Sequence, residues 1–107
     1  MDFELLKRKV LANQFELTQH VHQERQAEHI EVTEIKEALL TGEVLEDYPN
    51  DLRGTSCLIL GYAGKRAIHV VCGWSPTGWA RVITVYLPMT PKWVDERTRR
   101  TEKNNDS

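Results

Sequence analysis

Cysteine is scarce in this chain of 107 residues, and that scarcity excludes a good deal. Cys57 and Cys72 stand alone, with no CxxC pair and no Cys/His cluster at zinc-binding spacing. A disulfide scaffold and a structural zinc site are therefore not expected, and the two thiols read as small buried hydrophobes. No apolar run approaches the roughly 20 residues needed to cross a bilayer. The opening MDFELLKRKV has no apolar h-region of a signal peptide. The expectation is a cytoplasmic protein with no membrane partner. Also missing are a Gly-rich phosphate loop, a G-x-S-x-G setting for Ser56, and any internal repeat.

Acids are missing too, but only from one region. No Asp or Glu occurs from Leu52 to Val94, a stretch that holds Arg53, Lys65, Arg66, Arg81 and Lys92. Residues 1–51 carry twelve acids and five bases, a net −7, while residues 52–107 carry nine bases and four acids, a net +5. An acidic first half joined to a basic second half gives the surface a directional field. Either the asymmetry reflects chance and acids placed early in helices, or it marks a sheet surface that meets an anion, most naturally nucleic acid, on the basic side alone.

What is present is an ordered succession of patterns. Asp2 to Asn13 reads as an amphipathic helix with Phe3, Leu6 and Val10 on one stripe. Phe15-Glu16-Leu17 is a short extended link. Thr18 is an N-cap for a helix over Gln19 to Ala27, and Thr33 is expected to cap a third helix burying Val32, Ile35, Ala38 and Leu39 and ended by Gly42. Glu43 to Tyr48 is a candidate strand stopped by Pro49. Cys57 to Tyr86 then reads as a three-strand meander, broken at Ala63-Gly64-Lys65-Arg66 and Ser75-Pro76-Thr77-Gly78, which are turn chemistries. Pro91 to Arg97 is expected to form a helical turn. Helices followed by strands predict an α+β fold, with N-terminal helices packed on one face of a four-stranded antiparallel sheet. Residues 1–93 are expected as one domain and 94–107 as a polar, flexible tail.

Turning the hairpins about Gly64-Lys65 and Pro76-Thr77 assigns the sheet faces, because side chains alternate along a strand. Ile59, Val70 and Ile83 then share an apolar face with Ile68, Val85, Cys57 and Cys72. The other face carries rows of Leu60, His69 and Thr84; of Tyr62, Ala67 and Tyr86; and of Leu58, Val71 and Val82. Arg81 falls on the covered face in this register.

His69 is conspicuous, since an apolar residue is the default in the middle of Ala67-Ile68-His69-Val70-Val71. It is either a core histidine bonded to a neighbour or a group that titrates near neutral pH beside a Tyr hydroxyl. In the second case His69 and Tyr86 could move protons while Arg53, Lys65, Arg66 and Arg81 hold phosphates, with no metal or cofactor required. His20 and His22 are two apart, so on a helix they cannot share a metal. Trp74, Trp79 and Trp93 are expected to pack over the sheet edge more readily than to stack on bases.

The order of segments resembles a bacterial family of unknown function, domain 4258. The similarity runs through Phe15-Glu16-Leu17-Thr18-Gln19-His20 with Arg25, Ile30 to Ile35, Gly42 to Pro49, Arg66 to Val71 and Ile83 to Pro88. Val21 stands where Ala is usual, and His29 where Arg is common. That family resembles the RelE/ParE-type toxin superfamily. The resemblance implies a toxin of a type II toxin–antitoxin pair, an endoribonuclease acting on RNA, free or ribosome-bound, with a cognate antitoxin as partner. By the same resemblance His20, Arg25, His69 and Tyr86 are the matching catalytic positions. The alternative is a non-catalytic binding module of the same fold that inhibits or binds a macromolecular partner.

Overall fold

A computed structural model describes residues 1–52, 54–89 and 93–99. Three helices come first, α1 (Phe3–Leu11), α2 (Gln19–Ala27) and α3 (Val32–Thr41). Each begins where a side chain can accept an orphan N–H of the first turn. Asp2 accepts from Leu5 N at 3.0 Å and Thr18 from Val21 N at 3.2 Å. α3 starts earlier than expected: Glu31, not Thr33, is its cap, and the Glu34 carboxylate accepts the Glu31 N–H at 2.8 Å. This is the reciprocal arrangement of a capping box, here with Glu at the cap, and it places Thr33 inside the helix.

The sheet has five strands rather than four, and it is mixed rather than antiparallel. β1 (Phe15–Leu17), β2 (Glu43–Tyr48), β3 (Ser56–Ala63), β4 (Arg66–Trp74) and β5 (Ala80–Tyr86) are ordered β1-β5-β4-β3-β2. The extra member is β1, paired parallel to β5 with Phe15 opposite Ala80 and Leu17 opposite Val82. Three residues are too few to show a period of two, so its pairing was invisible until its neighbour was known.

β3 and β4 pair as expected, with Cys57 opposite Cys72, Ile59 opposite Val70 and Leu60 opposite His69. β5 does not. Val70 lies opposite Val85 instead of Ile83, and His69 lies opposite Tyr86 instead of Thr84. The turn is longer than a two-residue hairpin, because Ser75 closes it: its N–H donates to Trp79 O at 2.8 Å and its hydroxyl accepts from Trp79 N at 3.0 Å. A bulge then shifts the register so that Cys72 meets Val82. Consequently Val82 enters the core, whereas Ile83 and Arg81 line grooves on the opposite side. A bulge puts two residues against one and exchanges faces locally without disturbing the rest of the strand.

Leu6 and Val10 of α1, Val21 of α2, and Ile35, Ala38 and Leu39 of α3 form one apolar cluster with Ile59, Ile68, Val70, Val82 and Val85. Cys57 and Cys72 are buried free thiols in that cluster. The helix α3 lies hard against β3. A Cβ at Gly61 would sit 1.8 Å from Ala38 O, and one at Gly42 would sit 2.5 Å from Ile59 Cγ2. Gly42 ends α3 with φ −85°, so it is glycine for closeness and not for a left-handed turn.

Residues 93–99 fold back over the other sheet face. Trp93 bridges to Arg99, Val94 N donates to Thr98 O at 2.7 Å, and Trp93 is fully buried. The Arg97–Glu43 and Arg99–Glu46 ion pairs tie this strap to β2. The expected helical turn at Pro91 to Arg97 is replaced, over its described part, by this bridged turn. Residues 100–107 of the expected tail lie outside the described residues.

Gly61→Ala is expected to lower the unfolding free energy by about 3 kcal/mol or more, because the displaced atoms are backbone and cannot rotate away. Gly64→Ala, at φ +63° in an open turn, should cost only about 1 kcal/mol. Urea denaturation of the two variants measures the difference, and equal losses would refute the close-contact account.

Candidate functional site

The His69–Tyr86 pair exists, but it is sealed. His69 is 0% exposed. Its Nε2 lies 2.7 Å from Glu96 O and its Nδ1 3.2 Å from the Tyr86 hydroxyl. A carbonyl oxygen can only accept, so Nε2 carries the proton and Nδ1 accepts from Tyr86. The Trp93 ring stands edge-on to the imidazole with centroids 4.4 Å apart, and the Arg99 guanidinium lies over that indole. Burial pushes the His69 pKa down, against the opposing pull of the Glu96 carbonyl and Glu46. Burial likewise raises that of Tyr86. This is a bonded core histidine that latches the strap to β4.

A second constellation is open. On α2, His20 and Glu24 are four residues apart and so share a helix face. His20 Nε2 lies 3.0 Å from Glu24 Oε2, and the His20 side chain is 64% exposed. Glu24 also accepts from the Thr84 hydroxyl at 2.6 and 2.7 Å and from Val85 N at 2.9 Å. The carboxylate therefore presents only acceptors, which places the His20 proton on Nε2 and leaves the Nδ1 lone pair outward. A histidine whose second nitrogen is held by a carboxylate is fixed in orientation and tautomer for proton transfer.

The pair borders a cleft of about 510 Å³, lined in part by Thr18, His20 and Thr84. Val71 and Ile83 give it apolar walls, and Tyr48 and Asp51 lie on its lining too. The Tyr48 hydroxyl donates to Glu46, and burial with that bond raises its pKa to about 12. Ser56 Oγ donates to Asp51 Oδ2 at 3.1 Å. A smaller recess of about 120 Å³ shares Thr18 and Ile83 with the cleft and is bordered by Arg81, Thr55 and Gly73.

The other expected residues are dispersed. Arg25 donates to His22 Nδ1 at 3.2 Å and to Ile30 O at 3.3 Å, which ties off the end of α2 where His29 turns the chain at φ 58°. Arg66 pairs with Glu34 at 2.7 Å and reaches His29 O at 3.0 Å. Arg81 pairs with Glu16 at 2.8 Å at the cleft's margin. Lys65 is exposed at the β3–β4 hairpin. Arg53 lies outside the described residues. The basic side chains are thus spread along the sheet rather than gathered. Among the described residues, no group of three or more His, Cys, Asp or Glu side chains is placed to hold a metal ion, and no helix is long and apolar enough to cross a membrane.

Glu24, Tyr48 and Asp51 were not singled out from the sequence. Glu24 was legible, since the i,i+4 spacing from His20 is visible, but Tyr48 and Asp51 enter only through tertiary folding.

The sequence has a counterpart among known families. The family described as Domain of unknown function (DUF4258) matches residues 17–87. The chain belongs to this family. In this DUF4258 domain the matched span contains α2, α3, β2 to β5 and every described lining residue of the cleft. No curated protein and no solved structure matches the chain.

The sealed His69 predicts a pH dependence. Its pKa is lowered on folding, so the unfolded chain binds the proton more readily. The resulting stability is fully present above the unfolded value of about 6.5 and is lost as pH falls through the folded value. Urea midpoints of the wild type should therefore drop more steeply below about pH 6.5 than those of His69→Gln. Parallel curves would exclude His69 as the titrating group.

Proposed function

We propose that this domain is an RNA-cleaving toxin of a type II toxin–antitoxin pair, working at the His20 cleft. The single observation that carries the reading is the exposed His20–Glu24 pair beside a cleft large enough for a nucleotide. The likeness of the sequence to RelE/ParE-type toxins supports it, as does the acid-free stretch that supplies Arg81. In this reading His20 is the catalytic base and Glu24 its positioning residue. His20 Nδ1 takes the proton of a ribose 2′-hydroxyl, and the 2′ oxygen attacks the adjacent phosphorus. The bond from phosphorus to the 5′ oxygen breaks, and that oxygen takes a proton from water in the open cleft. The products are a 2′,3′-cyclic phosphate and a 5′-hydroxyl. Arg81, at the margin, neutralises phosphate charge. His69 and Tyr86 serve the strap, not the chemistry. RNA, free or ribosome-bound, is the substrate in the cytoplasm, and a cognate antitoxin is the partner that restrains it.

A specific observation favours a second reading, a non-catalytic module that inhibits a macromolecular partner. Arg66, Arg81, Arg97 and Arg99 each already face a carboxylate, those of Glu34, Glu16, Glu43 and Glu46. Such a surface is less able to grip RNA by charge alone.

Induction of the wild type in bacteria should arrest growth, and purified protein should cut RNA to 2′,3′-cyclic phosphate ends. His20→Ala should lose about 10²-fold or more in cleavage rate and relieve the arrest. Glu24→Gln should lose less, about tenfold, and His69→Gln should remain active where it stays folded. Arrest by wild type and His20→Ala alike would replace the catalytic reading with the binding one.

A further inference from the structure

The recess of about 120 Å³ beside the His20 cleft is shaped by two local departures from regular strand structure. The first is Gly73 in β4, opposite Arg81 of β5. Gly54, Gly64 and Gly78 have positive φ and Gly73 does not, so backbone conformation does not call for glycine there. Glycine inside a strand weakens it, and it marks a place where another group comes close to the backbone. A Cβ at Gly73 would project to 3.2 Å from Ile83 Cδ1 and 3.3 Å from Thr55 O. Any larger side chain would occupy the recess. The second departure is the β5 bulge, which falls at Ile83, between the Val71–Thr84 and Cys72–Val82 pairs. It keeps Ile83 out of the core cluster and makes it a wall shared by recess and cleft.

A recess of this size is well below an ordinary ligand pocket of roughly 300–1,000 Å³. It therefore takes one part of a molecule whose remainder lies in the adjoining cleft of about 510 Å³. Apart from Arg81 its lining is uncharged. The glycine backbone and the Ile83 side chain suit a flat, neutral ring, and the Thr55 carbonyl accepts from an N–H but repels a phosphate. We infer that the recess over Gly73 is a second nucleobase site, holding the base on the 3′ side of the cut.

The direction follows from the order of groups along the groove. The ribose whose 2′-hydroxyl meets His20 lies in the cleft, and the phosphorus it attacks belongs to its own 3′-phosphate. Arg81 borders the recess, so that phosphate runs from His20 toward Arg81, and the nucleotide beyond it is the leaving one. The Arg81–Glu16 pair runs through Nε, and a guanidinium carries further donors on its terminal nitrogens. This assignment rests on the RNA-cleaving reading of the cleft and deepens it. The substrate is single-stranded RNA gripped by two consecutive nucleotides, because a paired base could not enter the recess.

The test uses the full chain and 2′-O-methyl dinucleotides, which cannot be cleaved, with both bases present or with the 5′ or the 3′ residue abasic. Removing the 3′ base should weaken binding roughly tenfold, the usual contribution of one packed base. That arm needs no protein variant. Gly73→Val, checked for folding by circular dichroism, should bring the intact dinucleotide down to the affinity of the 3′-abasic one and leave the latter unchanged. Gly73→Ala, a smaller intrusion, should fall between. Equal binding of the intact and 3′-abasic forms, or a 3′-base effect that survives Gly73→Val, would overturn the base site. So would a Gly73→Val effect confined to the 5′ base. A 3′-base effect without cleavage of unmodified RNA would keep the base site and remove the catalytic reading. Cleavage indifferent to loss of the 3′ base would do the reverse, and binding of none of the dinucleotides would overturn both.

Discussion

One contact joins the fold to the cleft: the Glu24 carboxylate against the edge of β5. β1 pairs with β5 only from Ala80 to Val82, so beyond Val82 the edge of β5 away from β4 runs on without a strand neighbour. An unpaired N–H at a covered edge costs about as much as a lost hydrogen bond. Glu24 accepts the Val85 N–H and the Thr84 hydroxyl in place of that neighbour. In doing so it sets α2 against the sheet and holds His20 beside the cleft. Remove it and an unmet donor, a loosened helix and a misdirected imidazole appear together.

The two histidines illustrate how burial divides similar chemistry. His69 has every hydrogen bond it can make, no exposure, and a pKa pushed down by desolvation. It contributes to stability by remaining neutral. His20 has one nitrogen held and the other turned outward, and its side chain is exposed. A proton-transfer group must meet its substrate, so geometry decides between them before pKa does. The strap adds to this division. By placing Trp93 over His69 and setting Arg97 and Arg99 on Glu43 and Glu46, it closes one part of the sheet face and leaves the Val71–Ile83 part open.

Much of the fold was legible in the amino-acid order. Helical stripes at Leu6/Val10 and Ile35/Ala38/Leu39, the Thr18 cap, and the Cys57–Cys72 and Leu60–His69 pairings all follow from local periodicity and a tight turn at Gly64. The β5 register did not follow, because the Ser75 turn and the bulge before Thr84 lengthen the connection in ways composition does not reveal. β1 was too short to carry a period. Of the candidate site, His20 entered through family resemblance, while His69 drew notice as a polar residue in an apolar run, a sign equally of burial and of chemistry.

By itself the sequence determined the α+β class, the element order, the apolar face of the central strands and the family to which the chain belongs. These depend on spacing within a few residues, or on segment order, both of which are properties of the chain. Only the tertiary structure decided that β1 joins the sheet in parallel, that residues 93–99 bury His69, and that His20 shares a cleft with Tyr48 and Asp51. Those outcomes depend on which distant segments compete for the same surface and the same unpaired backbone groups, and that competition is settled only when the whole chain packs.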